Sequence, residues 1–284
     1  MSNRIEIIGH LRELSHSDDV CIGFTSALQQ LNQMMSDPNV DAKQLSTVIA
    51  KDPMLTGTIL RAANSAAYGH VRRVTSVRQA VDVVGYSRLQ SVFSLAILDR
   101  VLRTESKDRW ENIWKHSLGT AVAAQALCGF VDLRLSDVMF TAGLMHDLGS
   151  FIIIRFLPEE NRQILDAISR DPDRRLLVAE KEILGLTHQD IGAFFAKEWN
   201  FPDVIVECIH QHHFIGESEF KLQAGIVMLA NNIAKGMELG WSENYLVEPI
   251  PNWIWGMVKI PEKEFPSLIK SIRDKFNENI AFID

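Results

Sequence analysis

The sequence predicts an all-α protein, on three observations. Apolar residues recur at three- and four-residue steps through nearly every segment, which places them on one face of a helix. The residues between segments are those that start and stop helices: Asp, Ser or Thr before an apolar run, and Gly, Asn or an Asp-Pro pair after it. No stretch alternates polar and apolar residues at period two, and no Asn-Gly pair marks a hairpin.

Val20, Phe24, Leu28 and Leu31 form the first stripe, which stops before Asp37-Pro38. Leu45, Val48 and Ile49 follow Asp41 and end at Asp52-Pro53, where Asp52 can cap the next helix and Pro53 suits its first turn. That helix carries Leu55, Ile59 and Leu60 and gives way at Asn64-Ser65-Ala66-Ala67-Tyr68-Gly69. Ser76 and Ser87 read as caps of two helices separated by Gly85, one bearing Val77, Ala80, Val81 and Val84, the other Leu89, Val92, Phe93 and Ala96. The steps from Trp110 through Ile113, Trp114, Ser117, Leu118 and Ala121 to Val122 predict a long helix from about Lys107 to Gly129. A helix carrying His146 follows Ser136.

Beyond Pro158 one helix runs to about Ser169 and another ends near Gly185. Thr187, with Asp190 three residues on, makes a capping-box start to the next. Pro202 opens a helix to His212 or His213, and Leu222, Ile226, Leu229 and Ile233 mark a further one. Pro249, Pro251, Pro261 and Pro266 interrupt the chain before a final amphipathic helix around Leu268, Ile272 and Phe276. Trp253 and Trp255 are expected to cover the core, and Arg72, Arg73 and Arg78 to form a solvated basic face.

Composition narrows the function classes. Of 284 residues, 46% are apolar and 23% charged, as in an ordinary globular protein. A net charge of −7 argues against nucleic acid as the main partner. Cys21, Cys128 and Cys208 are odd in number and far apart, which points to reduced, buried thiols. The N-terminus lacks a signal-peptide pattern. No stretch is expected to span a bilayer, the purest apolar run, Phe151 to Ile154, being followed by Arg155. The expected location is therefore the cytoplasm, with no membrane partner.

One stretch does not fit a plain core: Ala142-Gly143-Leu144-Met145-His146-Asp147-Leu148-Gly149. Adjacent ionisable groups on an apolar helix end carry a large desolvation penalty unless something polar compensates. His146 follows Val138 and Ala142 at four-residue steps and faces the core, with Asp147 about 100° round the helix and Gly143 leaving space one turn earlier. Six of the nine histidines lie between His116 and His213. Singly, each has a structural role open to it; His212, for instance, can oppose a helix dipole. Together with Asp147 they suit a mixed nitrogen and oxygen site for Fe, Mn, Zn or Ni. The place of His188 at a helix N-terminus disfavours its protonated form and keeps a lone pair available for metal.

The order His116, His146-Asp147, His188, His212-His213 resembles the HD superfamily of metal-dependent phosphohydrolases, including its HD-GYP branch. More specifically it is similar to the HDOD domain, the HD-related output domain of bacterial signalling proteins. The resemblance is carried by Asp52-Pro53 with Asn64-Ser65-Ala66-Ala67-Tyr68, by Trp114 with His116-Ser117, and by Gly143 to Gly149. Glu182-Ile183-Leu184-Gly185-Leu186-Thr187-His188, Trp199-Asn200-Phe201-Pro202 and His212-His213 complete it. It covers roughly Asp18 to Lys235. What it implies is a multi-helix bundle in one large domain: a helical N-terminal lobe over 18–106, an HD-like core over 107–235, and a C-terminal extension over 236–284.

The resemblance further implies that His116, His146, Asp147, His188, His212 and His213 ligate one or two divalent transition-metal ions. In an active member such ions activate a water and clamp a phosphate-ester oxygen, with His146 and Asp147 at the catalytic centre. The chain departs from the active pattern at three places. Asn231 stands where a last Asp ligand is supplied, and an amide is a neutral, weaker ligand. Ser150 stands where the HD-GYP branch has a Lys, and Phe214-Ile215-Gly216 replaces its Gly-Tyr-Pro signature. Two functions follow: a regulatory module acting on a signalling protein in trans, or a metal-dependent phosphohydrolase taking nucleotides, cyclic nucleotides or another phosphate ligand.

Overall fold

The structure, a computed structural model, describes residues 2–15, 26–35, 37, 40–50, 53–64, 74–85, 88–89, 92, 107–171, 174–199, 201–240 and 247–280. Among them are fifteen α-helices, three short 3₁₀ turns and no strand, so the all-α expectation holds.

The N-terminal part contains α1 (Ser2–Ser15), α2 (Ser26–Met35), α3 (Ala42–Ile49), α4 (Pro53–Ala63) and α5 (Val77–Val84). Their ends are set by local hydrogen bonds. The Asp41 carboxylate accepts from Gln44 N at 2.7 Å while the Gln44 side chain accepts from Asp41 N at 2.9 Å, a reciprocal capping box that starts α3. Ser76 accepts from Gln79 N at 3.2 Å to start α5, which ends at Gly85 in the positive-φ region that glycine adopts without steric cost. Asn64 ties the end of α4 to the approach to α5: its amide donates to Leu60 O and Val74 O, both at 2.8 Å, and its carbonyl accepts from Val74 N at 2.7 Å. Helix α1 was not anticipated; its stripe is short, with Ile7 and Leu11 buried and Leu14 packed against the core. The expectations placed on Val20, Cys21, Phe24, Asp52, Ser65 to Tyr68, Arg72, Arg73, Ser87, Phe93, Ala96 and Asn200 fall outside the described residues.

The larger part contains α6 (Lys107–Leu127), α7 (Ser136–Met145), α8 (Leu148–Phe156), α9 (Pro158–Arg170), α10 (Leu176–Ile183), α11 (His188–Glu198), α12 (Asp203–Gln211) and α13 (Lys221–Gly236). Helix α14 (Asn252–Val258) and α15 (Phe265–Ile280) complete it. Helices α6 and α13 form its centre: α6 packs against α7, α13 and α15, and α13 against α7, α12 and α14. A helix buried all round must be apolar or small all round, as α6 is from His116 to Ala124 and α13 from Ala224 to Ala234, apart from the polar side chains of the candidate site and its surroundings. Ile254, Val258, Leu268, Ile272 and Phe276, beyond residue 236, bury into the same core.

Three expectations need correction. The segment Leu133–Phe156 is long and apolar enough by composition to cross a membrane, but 72% of its most apolar window is buried inside the protein. Trp253 packs against the core, with Lys221 Nζ 5.1 Å from the ring centre, whereas Trp255 is 40% exposed; only one of the two tryptophans covers apolar surface. The stretch containing them forms the helix α14, not irregular chain. Cys128 and Cys208 are free and buried, and burial pushes the Cys128 thiol up to about 12.

Candidate metal centre

Helix α7 ends at Met145, and Asp147 (φ −96°, ψ 21°) leaves the helical region before α8 begins at Leu148. The 100° separation expected of neighbours on one helix therefore does not apply, and both side chains of the turn enter the same site, His146 Nε2 lying 3.2 Å from Asp147 Oδ2. Nor does Gly143 leave an open space. A Cβ there would meet the Ala121 Cα at 2.8 Å, so α7 lies directly on α6 and brings the His146 ring to 5.3 Å from that of His116. Gly149 does the same for α11: its missing Cβ would sit 1.9 Å from the His188 carbonyl oxygen. The start of α8 and the first turn of α11 thus touch backbone to backbone, which sets His188 beside Asp147. Helix α11 opens with the expected capping box, Asp190 Oδ2 accepting from Thr187 N at 2.9 Å and Thr187 Oγ1 from Asp190 N at 3.3 Å.

All six side chains singled out from the sequence converge, and the Asp147 carboxylate stands between two groups of them. Its Oδ2 lies 3.2 Å from His146 Nε2 and 3.8 Å from His116 Nε2. Its Oδ1 lies 3.5 Å from His212 Nε2 and 3.6 Å from His188 Nε2. Ligand atoms of Asp147, His188, His212 and His213 fall within 4.8 Å of one another, as do those of His116, His146 and Asp147. His210 stays outside, half exposed and 3.5 Å from Asp190 Oδ1.

The outer hydrogen bonds decide which ring nitrogens face inward as acceptors. His146 Nδ1 lies 2.8 Å from Gly143 O and His212 Nδ1 2.8 Å from Ile209 O. A carbonyl only accepts, so each Nδ1 carries the hydrogen and the neutral ring turns an Nε2 lone pair toward the site. His188 Nδ1 is held 2.9 Å from both oxygens of Glu180, which also accepts from His188 N, and His213 Nδ1 is 2.9 Å from Glu248 Oε2. A carboxylate thus holds Nδ1 of each of these rings, as carboxylates behind metal-ligating histidines do. His188 Nε2 and His212 Nε2 then face each other at 3.2 Å, a hydrogen bond when His188 is protonated and two facing lone pairs when it is neutral, and His146 Nε2 is buried without a hydrogen-bond partner. The donor set fits a divalent transition metal. His116 differs: its Nε2 is 3.0 Å from Asn231 Oδ1, and its Nδ1 has no partner.

Burial lowers His116 to about 3 with help from His146, and lowers His212 to about 3 against the pull of Asp147. Burial also holds His213 well below its ordinary value. For Asp147 burial favours the neutral acid, but the surrounding His146, His212 and His188 outweigh it and hold the carboxyl well below the usual range. His188 reverses the direction expected from its helix position: burial lowers it, yet the Glu180 carboxylate, with Asp147, outweighs burial and the net shift is upward. Glu180 and Glu248 were not singled out from the sequence. Glu180 left one signal, a carboxylate four residues from Leu176 on an apolar stripe; Glu248, 35 residues from the histidine it holds, left none.

Comparison with known proteins adds the family. The HDOD domain profile matches residues 23–215, well over half of the chain. A curated relative described as an uncharacterized protein of Treponema pallidum (strain Nichols) is 26% identical over 209 residues; that region spans 72% of this chain but 40% of the relative. An HDOD domain protein from Geobacter sulfurreducens superposes with a TM-score of 0.69 at 23% identity, over 90% of this chain and 89% of its own. A candidate phosphohydrolase from Shewanella amazonensis SB2B superposes with a TM-score of 0.71 at 22% identity, over 94% and 98%. A candidate signal transduction protein from Marinobacter aquaeolei VT8 reaches 0.75 at 20% identity, over 90% of this chain and 58% of its own. These likenesses share the all-helical architecture, and with the profile match they lead to one conclusion: the chain belongs to the HDOD domain family.

Proposed function

We propose that this chain is an HDOD-type regulatory module built round a divalent-metal centre, whose output passes to a signalling partner in trans through protein contacts. His116, His146, Asp147, His188, His212 and His213 are its candidate ligands. The observation that carries the reading is a ligand set already assembled in the interior: His116, His146, His188 and His212 are at most 1% exposed, Asp147 is 7% exposed and His213 is partly buried. Structural metal sites fill every coordination position with protein ligands, and Asp147, His188, His212 and His213 supply four. Asn231 and Ser150 support the same reading, since neither supplies the charge that metal-bound phosphate chemistry uses. Bound Fe, Mn, Zn or Ni would join α6, the α7–α8 turn, α11 and α12 into one unit. The chain's own part is to hold the rings, by Gly143 O, Ile209 O, Glu180 and Glu248, with their lone pairs inward.

The retained histidines and the carboxylate shared between two groups favour a second reading, a metal-dependent phosphohydrolase of nucleotides or cyclic nucleotides with His146 and Asp147 at its catalytic centre. One experiment separates the two. Bound transition metal is measured in the purified protein, and hydrolysis of nucleotides and phosphodiesters is assayed with Mn²⁺ or Fe²⁺ for the protein, His146→Ala and Asp147→Ala. The expected result is bound metal without turnover. Turnover that disappears in both variants overturns the module reading in favour of the hydrolase.

A further inference from the structure

We infer that the centre holds a single metal ion, bound on the His188–His212–His213 side of Asp147, and that Asn231 keeps the His116–His146 side from holding a second. The inference rests on the metal-centre reading above. On the first side, all three rings have Nδ1 engaged with an acceptor, which leaves Nε2 of each as the ligand atom, and Asp147 Oδ1 adds a fourth donor. Three neutral imidazoles and a carboxylate oxygen form a complete four-coordinate set. Two of those rings are backed by the carboxylates Glu180 and Glu248, which raise ligand basicity.

The other side is incomplete. His146 offers Nε2 and Asp147 its Oδ2, but His116 has its site-facing nitrogen engaged with Asn231. If the amide oxygen accepts, His116 Nε2 carries a hydrogen and is no ligand; if the amide is turned over, its NH₂ occupies the lone pair. In neither case does any group hold a hydrogen on His116 Nδ1 to favour the ligating tautomer, since that atom has no partner.

The test is zinc stoichiometry and affinity, measured by titrating chelator-stripped protein with Zn²⁺ alone. One ion per chain is expected. Its affinity should fall at least a hundredfold in His212→Ala and change by only a few fold in His116→Ala. Asn231→Asp should admit a second, weaker ion. If His212→Ala does not fold, Glu180→Gln is read instead; it leaves every ligand in place and should weaken zinc about tenfold or more. No zinc binding in the protein itself sinks the metal reading and this inference together. Two ions, or one ion lost in His116→Ala but kept in His212→Ala, overturn the inference alone and leave the metal centre standing. Asn231→Asp remaining at one ion overturns the role given to Asn231.

Discussion

The two parts of the molecule bury different things. From Ile7 to Val92, every buried side chain among the described residues is apolar. From His116 to Asn232, the core also encloses His116, Ser117, Thr120, Thr141, His146, Asp147, Asn161, Glu180, His188, Gln189, Gln211, His212, Asn231 and Asn232. Burying a polar group offsets folding unless it is bonded, and leaving a charge unpaired costs far more. The buried core of the described N-terminal part is thus apolar throughout, with side-chain hydrogen bonds at its helix ends and turns. The histidine-bearing part gives up apolar packing to hold a polar cluster in place.

This contrast can be broken most sharply at Gly149. Alanine there would drive a Cβ into the His188 carbonyl, and the backbone-to-backbone contact leaves no side chain to move aside. A loss above about 4 kcal/mol is expected, in the rare severe range for single substitutions. Chemical denaturation would measure it, with loss of bound metal alongside. A stable, metal-replete Gly149→Ala protein would show that the contact does not position His188.

Metal removal comes next. A ligand at a thousand times its dissociation constant stabilises a protein by about 4 kcal/mol. Stripping with chelator should therefore lower the melting temperature by several degrees, and Zn²⁺ should restore it. An unchanged melting temperature would mean that the cluster is a polar core without an ion.

In the N-terminal part, Leu45→Ala removes a fully buried side chain and should cost about 2–5 kcal/mol. Zinc stoichiometry should stay unchanged in the protein that remains folded. A change in stoichiometry would join the two parts that the burial pattern separates. The smallest effect belongs to Asn64→Ala, which removes the amide that joins the end of α4 to Val74. About 1–3 kcal/mol is expected for carbonyl and amide groups left without partners, read from the denaturation midpoint, with no effect on metal.

The sequence by itself determined the helices whose signals act within a turn or two. Asp41, Ser76 and Thr187 cap the helices that follow them because donor and acceptor lie three residues apart, and the apolar steps in α6 and α13 require those helices to be buried. It also marked the six candidate ligands, through the resemblance of their order to the HD superfamily, with only His146 placed by its own apolar stripe. Tertiary structure alone decided how they meet. The break at Asp147, the absence of space at Gly143, the bond between His116 and Asn231 115 residues away, and the reversal at His188 by Glu180 all depend on contacts between separate helices. The physical reason is range: a cap or a periodic stripe is complete within one helix. A ring's tautomer, its charge and the donor set it joins depend on whichever group the packing of another helix brings to within about 3 Å of it.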